Sequence, residues 1–347
     1  MALVCRHTTA ADEEQLTEFL TRVFAANAAL VSSEMLRWKY WTPRVDCPEP
    51  RSFVMERDGR IVAHVGLWPV TVKVGTKSER GVHAMDWAAD PHTLGAGWSL
   101  FMSLTKSHDF VYGIGGEEIT RSILPKLGFR TVAEAVTWAR PIRPWRQMLK
   151  HQSKDLRLPL RFARNVWWSN MPPRMLPRGW AAAEHDLAEH GLVEHSAGPA
   201  GGIAALAGER EESFFRYLQQ CPVAPCQTFN IVNGGRIVGF FALSVVGEQA
   251  RVAGVWLENS SPENWRTAFR LAQDAALRHT NTSEIVARCR TEASAIGAER
   301  AGMRLRARTP VVLFRKDGDA EVVPPLQFQL CDSDALFITG GPATFLT

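Results

Sequence analysis

The spacing of apolar residues in the first part of the chain predicts alternating helices and strands. A helix is expected to begin within residues 6–15, because the apolar positions from Leu16 to Phe24 then fall on one face. The aromatic-rich segment 35–43 has the character of a helix end that is stopped by a proline. Residues 52–65 form two apolar runs around Asp58-Gly59, a pair that favours a hairpin turn.

Residues 82–138 hold the pattern around which we interpret the rest of the chain. An apolar strand is followed by a turn that contains Gly95 and Gly97, and apolar residues then recur at helical spacing. A second strand over 110–114 leads to a short helix that closes with Leu-Gly-Phe at 127–129, and a further strand follows. Glycines let the main chain approach a ligand, and the free N–H groups of a helix start favour an anion such as a pyrophosphate. A tight turn that binds nothing is the alternative for the same residues.

Three short patterns of the first half recur in the second half in the same order. Leu-Arg-Trp followed by Pro43 recurs as Phe-Arg-Tyr followed by Pro222, an offset of 179 residues (222 minus 43). The turn pattern that begins at Asp58 recurs at Gly234, an offset of 176 (234 minus 58). Leu-Gly-Phe recurs as Ala-Gly-Met around Gly302, an offset of 174 (302 minus 128). The constant order and nearly constant spacing predict a duplicated domain.

Length and composition agree with two globular domains. The chain has 347 residues, of which 46% are hydrophobic and 22% are charged, as expected for a protein with a packed core. We expect an N-terminal domain over residues 1–140, a connector over 141–180 and a C-terminal domain over 181–347. The first residues lack the apolar core of a signal peptide and no apolar run has the length of a membrane span, which predicts a cytoplasmic protein.

Charge and cysteine spacing narrow the classes of partner. The net charge of +4 is too small to indicate DNA binding, and the six cysteines are scattered without a C-x-x-C pair, which favours reduced thiols over a metal site. Residues 140–180 contain ten Arg and Lys against a single acid, Asp155, with tryptophans and prolines between them. This stretch is either a solvated connector or a basic surface for phosphates of CoA, of a nucleotide-linked substrate or of membrane lipid. Peripheral membrane contact through it is therefore one expectation.

Residues 82–138 resemble the acyl-CoA-binding half of the GNAT (Gcn5-related) N-acetyltransferases, in which a strand, a glycine-containing loop and a helix hold the CoA pyrophosphate. The resemblance implies an α/β fold with two tandem GNAT-like domains, each a mixed, mostly antiparallel sheet flanked by helices. The chain departs from the family at Leu94, where Arg or Gln is usual, and at Leu124, where many members carry the tyrosine that protonates the leaving thiolate. The second half has acids in place of the glycine loop, so we expect CoA binding in the first half.

Acetyl-CoA or another acyl-CoA is the co-substrate that this resemblance implies, and no metal is expected. Main-chain N–H groups of the first strand would bind the thioester carbonyl, and the loop and helix start would bind the pyrophosphate. The residues in these two roles are Trp87, Ala88, Ala89, Leu94, Gly95, Ala96, Gly97, Trp98 and Ser99.

Four side chains are candidates for proton transfer. Asp86 is the first candidate for the base, because burial in an apolar strand is expected to raise the pKa of a carboxyl group; pairing with Arg80 or capping a helix is its alternative role. His83 is the second, although strict alternation puts it on the opposite face from Asp86 unless a bulge intervenes. Glu117 could reach the cleft or simply support a helix start. Tyr112 could replace the missing acid or belong to the core.

These features predict an acyl-CoA-dependent N-acyltransferase similar to the tandem acyltransferases of amino-sugar and polysaccharide biosynthesis. Residues 328–334 also resemble the Asp-x-Asp ending of that group. The acceptor would be the amine of an amino sugar, free or nucleotide-linked, that is bound between the halves and attacks the thioester directly. One alternative is an aminoacyl-tRNA-dependent peptidyl transferase of the Fem type, which would use the basic stretch for RNA. Another is a non-catalytic module that binds acyl-CoA or a partner protein. DNA is not an expected partner, tRNA belongs to the Fem-type alternative, and the oligomeric state stays open.

Overall fold

The computed structural model of the protein describes residues 3–24, 31–45, 47–74, 77–116, 118–150, 158–171, 175–185, 212–289, 291–316, 328–338 and 347. The strands of the first half are β1 (Val4–His7), β2 (Ser52–Arg57), β3 (Arg60–Val74), β4 (Lys77–Ala89), β5 (Phe110–Ile114) and β6 (Arg130–Pro141). Its helices are α1 (Glu13–Val23), α2 (Ser33–Leu36, continued by a π-helical turn over Arg37–Trp41), α3 (Ala96–Ser107) and α4 (Glu118–Ile123, continued by a 3-10 turn over Leu124–Leu127).

Two helices, α5 (Pro144–Lys150) and α6 (Leu158–Asn170), lead to the second half. The second half contains β7 (Trp180–His185), α7 (Glu212–Gln219), β8 (Cys226–Asn233), β9 (Arg236–Val246), β10 (Gln249–Leu257), α8 (Pro262–Arg278), β11 (Glu284–Cys289), α9 (Glu292–Arg300) and β12 (Arg304–Arg315). A closing segment over 328–338 carries two 3-10 turns, Leu330–Asp332 and Asp334–Leu336. We call residues 328–338 the C-terminal segment.

Local sequence rules account for most of these elements. The predicted hairpin joins β2 to β3, and Asp58 and Gly59 both have positive φ, 55° and 75°, as the turn requires. Helix α1 buries Leu16 and Phe19, which confirms its predicted apolar face. Residues 4–7 pair with β2 as strand β1, and the helix then begins within residues 6–15 as expected, at Glu13 after a 3-10 turn over Ala10–Asp12.

The described strands form one continuous sheet, in the order β1-β2-β3-β4-β5-β12-β6-β11-β10-β9-β8-β7. The last strand of each half lies beside the other half: β12 pairs with β5, and β6 pairs with β11. Equivalent strands therefore follow one another in the same order from either edge, as a pseudo-two-fold axis between β6 and β12 requires. The sheet thus runs without a break across the predicted domain limit at residue 140.

The two central strands carry the mark of the duplication most clearly. β6 and β12 are both 12 residues long and start 174 residues apart (304 minus 130). At this offset Ala135 is equivalent to Thr309, and the two residues lie directly opposite each other in the antiparallel pair. The pairing skips one residue in each strand, Val132 in β6 and Arg306 in β12, which are again 174 residues apart. The pseudo-two-fold axis therefore passes between Ala135 and Thr309.

Helices cover both faces of the sheet, so the predicted α/β fold class with mostly antiparallel strands is confirmed. Helix α3 packs on one face of the first half through Leu100 and Phe101, and α8 packs on the second half through Phe269. On the opposite face, α1, α2, α7 and the C-terminal segment form a single apolar cluster that spans both halves. The only parallel neighbours among the described strands are β4 with β5 and β10 with β11, and these two junctions are equivalent.

Candidate functional site

The strands β4 and β5 separate soon after they meet. Their parallel pairing runs only from Gly81–Phe110 to His83–Tyr112, although β4 continues to Ala89. Beyond this point β5 keeps its hydrogen bonds with β12 on its other side. The result is a gap between β4 and β5 that opens toward the loop before α3.

A bulge in β4 lies at this gap. Gly66 pairs with Met85 and His64 pairs with Ala88. Asp86 and Trp87 of β4 therefore both lie opposite Val65, the single residue between His64 and Gly66 in β3. Asp86 has φ of 49°, in the left-handed region that few residues other than glycine adopt. Such conformations are uncommon and concentrate at functional sites.

Two neighbouring residues of α2 bind the Asp86 carboxylate. The Lys39 ammonium pairs with one carboxylate oxygen, and the Tyr40 hydroxyl donates to the same oxygen at 2.6 Å. Lys39 is 1% exposed, whereas the Asp86 side chain is 15% exposed, so Asp86 is the more accessible member of the pair. Gly66 makes room for the arrangement, because a Cβ there would lie 2.8 Å from the Tyr40 ring.

The environment of Asp86 sets the direction of its pKa. Burial acts to raise the pKa, but the charge of Lys39 and hydrogen bonds from Lys39 and Tyr40 outweigh it and leave the pKa below its usual value. The expectation of a raised pKa at Asp86 is therefore wrong. The predicted pairing with Arg80 is likewise replaced, because Lys39 is the cation that contacts this carboxylate. Burial and the negative charge of Asp86 raise the pKa of Tyr40 well above its ordinary value.

His64 completes the polar cluster around Asp86. Its side chain is fully buried, and its Nδ1 lies 3.0 Å from the main-chain oxygen of Asp86. Burial lowers the pKa of His64 to about 4, so the ring is neutral near pH 7 and Nδ1 donates to the carbonyl. Nε2 is then an acceptor, and it has no hydrogen-bond partner within the described residues. Lys39, Tyr40 and His64 were not predicted, because nothing in their local sequence places them beside a residue of another strand.

The other predicted catalytic residues lie on the same side of the sheet or outside the described residues. His83 places Nε2 at 3.2 Å from an Asp334 carboxylate oxygen and Nδ1 at 3.3 Å from the Tyr112 carbonyl. Tyr112 is fully buried, and its hydroxyl donates to the Asp332 carbonyl at 2.5 Å, which is the core position named as its alternative. Glu117 lies outside the described residues. The bulge turns Asp86 toward α2, and His83 faces the C-terminal segment in the same layer.

The loop between β4 and α3 forms the predicted glycine turn before a helix. Gly95 precedes the helix with φ of 82°, and the loop is closed by main-chain hydrogen bonds from Thr93 to Asp90 and from Ala96 to Thr93. Leu94 is 92% exposed at the tip, beside the helix start. The first N–H groups of the 12-residue helix α3 have no partner within the helix and point out of its start.

Gly97 has a second role that the sequence did not reveal. It is buried against β4, and a Cβ at this position would lie 2.9 Å from the Ala89 side chain. Glycine is therefore needed here so that α3 can approach β4, whatever the main-chain N–H of Gly97 binds. Trp98 and Ser99 follow on the outer side of the helix, and Trp98 is 43% exposed.

The equivalent gap in the second half is filled by the protein itself. β10 and β11 pair in parallel only as far as Val252–Ala287 and then separate. Gln329 of the C-terminal segment occupies the space: its Oε1 accepts from Val255 N at 2.5 Å, and its Nε2 donates to Val255 O at 3.3 Å. A side-chain amide thus makes both main-chain hydrogen bonds that an incoming ligand would otherwise make there.

Val255 is the counterpart of Trp87. Each strand ends with an equivalent main-chain hydrogen bond, Asp90 N to Val62 O in the first half and Glu258 N to Val238 O in the second. Trp87 and Val255 each lie three residues before that bond, so the main chain of Trp87 is expected to face the β4/β5 gap as that of Val255 faces Gln329. The main chains of Trp87 and Val255 therefore hold equivalent positions at the two gaps, and Gln329 contacts that of Val255.

The C-terminal segment is anchored to both halves. Cys331 O accepts from Trp68 Nε1 at 3.0 Å in the first half, and Ser333 Oγ accepts from Arg288 at 2.8 Å in the second. The first acid of the predicted Asp-x-Asp ending stabilises the segment itself, because Asp332 Oδ2 accepts from the Gln329 N–H at 2.6 Å. Its partner, Asp334, contacts His83 as described above.

The described part of the chain contains no disulfide, no cluster of metal ligands and no membrane-spanning helix. All six cysteines are free, with Cys221, Cys226 and Cys331 buried. No three His, Cys, Asp or Glu side chains come together as metal ligands do within the described residues. None of the described helices has both the length and the apolar character that crossing a bilayer requires.

Solved structures of similar shape cover most of the chain. A GCN5-related N-acetyltransferase from Anabaena variabilis matches with a TM-score of 0.55 at 10% identity, over 90% of this chain and 72% of that one. A GCN5-related N-acetyltransferase from Kribbella flavida matches with 0.52 at 10% identity, over 93% and 73%. A tandem GNAT protein from the clavulanic acid biosynthesis pathway matches with 0.54 at 12% identity, over 90% and 98%. The chain has a tandem GNAT fold.

Neither a protein-family model nor a curated protein sequence matches the chain. At identities of 9–12% these structural likenesses describe the fold alone. Within that fold, the predicted strand, loop and helix of the first half correspond to β4, the Gly95 loop and α3. The tandem GNAT arrangement predicted from the internal repeats is therefore confirmed, with the additional finding that β6 and β12 are exchanged.

Proposed function

We propose that the protein is an acyl-CoA-dependent N-acyltransferase whose donor binds in the β4/β5 gap of the first half. The difference between the two gaps carries this proposal. The second gap is closed by Gln329, while the first has at its mouth a glycine loop and a helix start. A protein that had lost the binding function would need no such difference between equivalent halves.

The donor would be held along its length by groups already described. The pyrophosphate would lie at the start of α3, where N–H groups and the helix dipole favour negative charge. The amide-containing arm would run along β4, with the main chain near Trp87 taking the place that Val255 has toward Gln329. The N–H groups of residues 87–89 would then be the donors to the thioester oxygen as it becomes an oxyanion.

Asp86 would act on the acceptor amine. The amine attacks the thioester carbon, a C–N bond forms, the C–S bond breaks, and the proton lost by nitrogen ends on the thiolate through water. With its lowered pKa, Asp86 is a carboxylate at neutral pH, and it would bind the acceptor ammonium. The ammonium would first release one proton to water, and Asp86 would then stabilise the positive charge that the free amine gains on nitrogen during attack. Lys39 and Tyr40 would fix its orientation. The proposal assigns no proton transfer to Tyr112, whose hydroxyl already donates to a carbonyl.

For the acceptor we propose the amine of an amino sugar, free or nucleotide-linked. Its support is the sequence resemblance to the tandem acyltransferases of amino-sugar and polysaccharide biosynthesis. Stacking of a sugar ring on tryptophan does not support this acceptor, because Trp38 and Trp68 are buried in the core. Acceptor panels should therefore include other small amines.

Ligand-induced stabilisation tests the donor. Thermal unfolding is recorded with and without excess acetyl-CoA, and then with UDP- and dTDP-linked amino sugars added. A ligand at about 100 times its dissociation constant adds about 2.7 kcal/mol to the free energy of unfolding and raises the midpoint by a few degrees. Release of free thiol with an amine present then measures transfer. Binding without release for any amine would favour the non-catalytic alternative.

Variants at Leu94 separate the proposed donor site from a general effect on folding. Leu94 is 92% exposed beside the helix start, so both Leu94→Glu and Leu94→Lys should fold normally. The glutamate should weaken acetyl-CoA binding by repelling the pyrophosphate, and the lysine should preserve or tighten it. Equal affinities in the two variants would contradict the site. Gly97 is less suitable, because a side chain there would disturb the packing of α3 on β4.

A further inference from the structure

Helix α6 exposes large apolar side chains to solvent and buries polar ones against the protein. The side packed on the protein carries Asn165 and Ser169, each only 6% exposed, together with Trp168. The solvent side carries Leu160, 73% exposed, and Trp167, 58% exposed, which lie seven residues apart on one stripe. A surface helix normally shows the reverse arrangement. The outer stripe of α6 is therefore an exposed apolar face.

Exposed apolar side chains are concentrated around this helix. Fourteen large hydrophobic side chains are exposed in the described part of the chain, and eight of them lie between residues 145 and 175. These eight, on α5, on α6 and just after it, are Trp145, Met148, Leu149, Leu160, Val166, Trp167, Met171 and Met175. We call this group, with the arginines of α5 and α6, the α5–α6 surface. Exposed apolar side chains that are concentrated in one part of a protein often belong to an interaction surface.

Arginines lie against both the buried and the exposed side of α6, and their charges repel one another. On the exposed side, the guanidinium carbon of Arg304 lies 5.8 Å from the centre of the Trp167 ring. The guanidinium carbons of Arg164, Arg304 and Arg306 lie 6.0, 4.9 and 4.4 Å from the centre of the Trp168 ring. Burial, with the charges of Arg161 and Arg304, lowers the pKa of Arg164, and burial with Arg164 and Arg304 lowers that of Arg306. The described residues of α5 and α6 include no Asp or Glu, and acids elsewhere in the fold offset only part of the charge: Glu248 pairs with Arg146, and the charge of Glu284 acts on Arg306. An anionic partner would relieve the repulsion.

We infer that the α5–α6 surface binds the anionic headgroups of a phospholipid membrane, with Leu160 and Trp167 entering the interface. An amphipathic helix with Trp and Leu on one side and arginine beside them binds a bilayer in this way, lying in the plane of the interface. The inference rests on the exposed face and its charge, and it is independent of the proposed acyl transfer.

Two other partners explain the surface less well. RNA would pair with the arginines, but bases stack on aromatic rings and leave the exposed aliphatic side chains such as Leu160 and Leu149 without a role. A second copy of the chain, packed through the same surface, would bring its arginines against these. Only an anionic membrane combines negative charge with an apolar layer that receives leucine, methionine and tryptophan.

Sedimentation with vesicles tests the inference on the full chain. Vesicles are made of phosphatidylcholine alone or mixed with phosphatidylglycerol, and the bound fraction gives the partition constant. We expect binding to the mixed vesicles, weakened by high salt. The double variant Leu160→Glu/Trp167→Glu should lower the partition constant by roughly tenfold or more, since it removes the apolar anchors and adds repulsion. Arg161→Gln/Arg164→Gln should lower it for the mixed vesicles by a similar factor.

Controls separate the membrane from other anions and from misfolding. Val45 is 77% exposed outside this surface, so Val45→Glu should bind vesicles like the wild type. Thermal midpoints of all variants should agree, because the changed side chains are exposed. Inorganic phosphate should not compete with the mixed vesicles; competition by it at millimolar levels would point to a soluble phosphate ligand and overturn the inference. Equal binding to neutral vesicles, or preference for tRNA over vesicles, would overturn it as well.

Discussion

Trp38 and Tyr217, which hold equivalent positions in the two halves, stack with ring centres 4.8 Å apart and planes 10° apart. Trp38 Nε1 donates to the Tyr217 carbonyl at 3.0 Å, and the Tyr217 hydroxyl donates to the Trp38 carbonyl at 2.7 Å. Each residue thus hydrogen-bonds the main chain of its own counterpart, as two equivalent residues do across a two-fold axis. The halves are joined here through side chains as well as through the exchanged strands β6 and β12.

Loss of the Tyr217 hydroxyl should weaken this junction. In Tyr217→Phe the stacked ring remains, but the buried Trp38 carbonyl loses one of two donors and keeps Arg51 at 3.1 Å, while Arg51 loses its contact with the hydroxyl at 3.4 Å. We expect the free energy of unfolding to fall by about 0.5–1.5 kcal/mol, the net contribution of one hydrogen bond. Urea unfolding followed by tryptophan fluorescence measures the change. Tyr217→Phe with wild-type stability would mean that the hydroxyl contributes nothing to the junction.

The Lys39–Asp86 pair allows stability and activity to be separated. Asp86→Asn leaves the Lys39 ammonium buried without a carboxylate, which should cost roughly 3–5 kcal/mol of unfolding free energy and abolish acyl transfer. The double change Lys39→Met/Asp86→Asn removes both charges, keeps an acceptor for the Tyr40 hydroxyl and places a residue that tolerates positive φ in the bulge. It should therefore regain most of the stability while activity stays absent. Urea midpoints and thiol-release rates are compared for the three proteins.

The matched control for this pair is Lys39→Met alone. It keeps the carboxylate and removes its orienting cation, so we expect reduced turnover rather than none. Full transfer activity in Lys39→Met/Asp86→Asn would exclude Asp86 from the chemistry and leave it a structural role in the bulge.

His64 should make the fold sensitive to mild acid. Its pKa is lowered from 6.5 to about 4 in the folded protein by burial, so between these values the unfolded chain binds a proton that the folded chain does not. The free energy of unfolding must therefore fall as the pH is lowered from about 6.5 to about 4, by roughly 3 kcal/mol in all. Asp86 acts in a different window, because its lowered pKa means that its contribution is lost only below its ordinary value of 3.8.

The variant His64→Gln isolates this effect. The glutamine does not titrate, so urea midpoints at pH 7 and pH 5 should differ less in the variant than in the wild type. His7 lies at the surface, and His7→Gln provides the matched histidine-to-glutamine comparison. Parallel pH profiles for wild type and His64→Gln would refute the assignment.

Local sequence predicted the elements whose causes are local. The Asp58-Gly59 hairpin, the buried face of α1 and the Gly95 turn before α3 each depend on residues within one or two turns of chain. The internal repeat also predicted the duplication, since three patterns recur at offsets that the equivalent strands β6 and β12 reproduce.

The contacts of the candidate site could not be predicted, because they join residues that are far apart in the sequence and meet only in the folded chain. Lys39 is 47 residues from Asp86, and the bulge that turns Asp86 toward it breaks the alternation on which the strand was predicted. The hydrophobic pattern could not predict the exchange of β6 and β12, because these equivalent strands can each pair with the same neighbouring strands. Gln329 reaches Val255 across 74 residues and has no motif of its own.

Gln329 makes the closing of the second gap testable. Its amide both donates and accepts at Val255, so Gln329→Glu should keep the acceptor for the Val255 N–H but place a carboxylate against the Val255 carbonyl. At neutral pH this should destabilise the protein more than Gln329→Ala, which should itself cost about 1–3 kcal/mol.

Acid should partly rescue Gln329→Glu and not Gln329→Ala. The buried site favours the protonated carboxyl, whose O–H replaces the lost donor, so the folded pKa lies above the unfolded one and the penalty disappears as the pH falls through it. Urea midpoints of the two variants, each relative to wild type at pH 7 and pH 5, measure this.

Calorimetric titration of the wild type with acetyl-CoA should show a single equivalent bound per chain. A second equivalent in the wild type would mean that Gln329 yields its place to the ligand and that the second half is not closed.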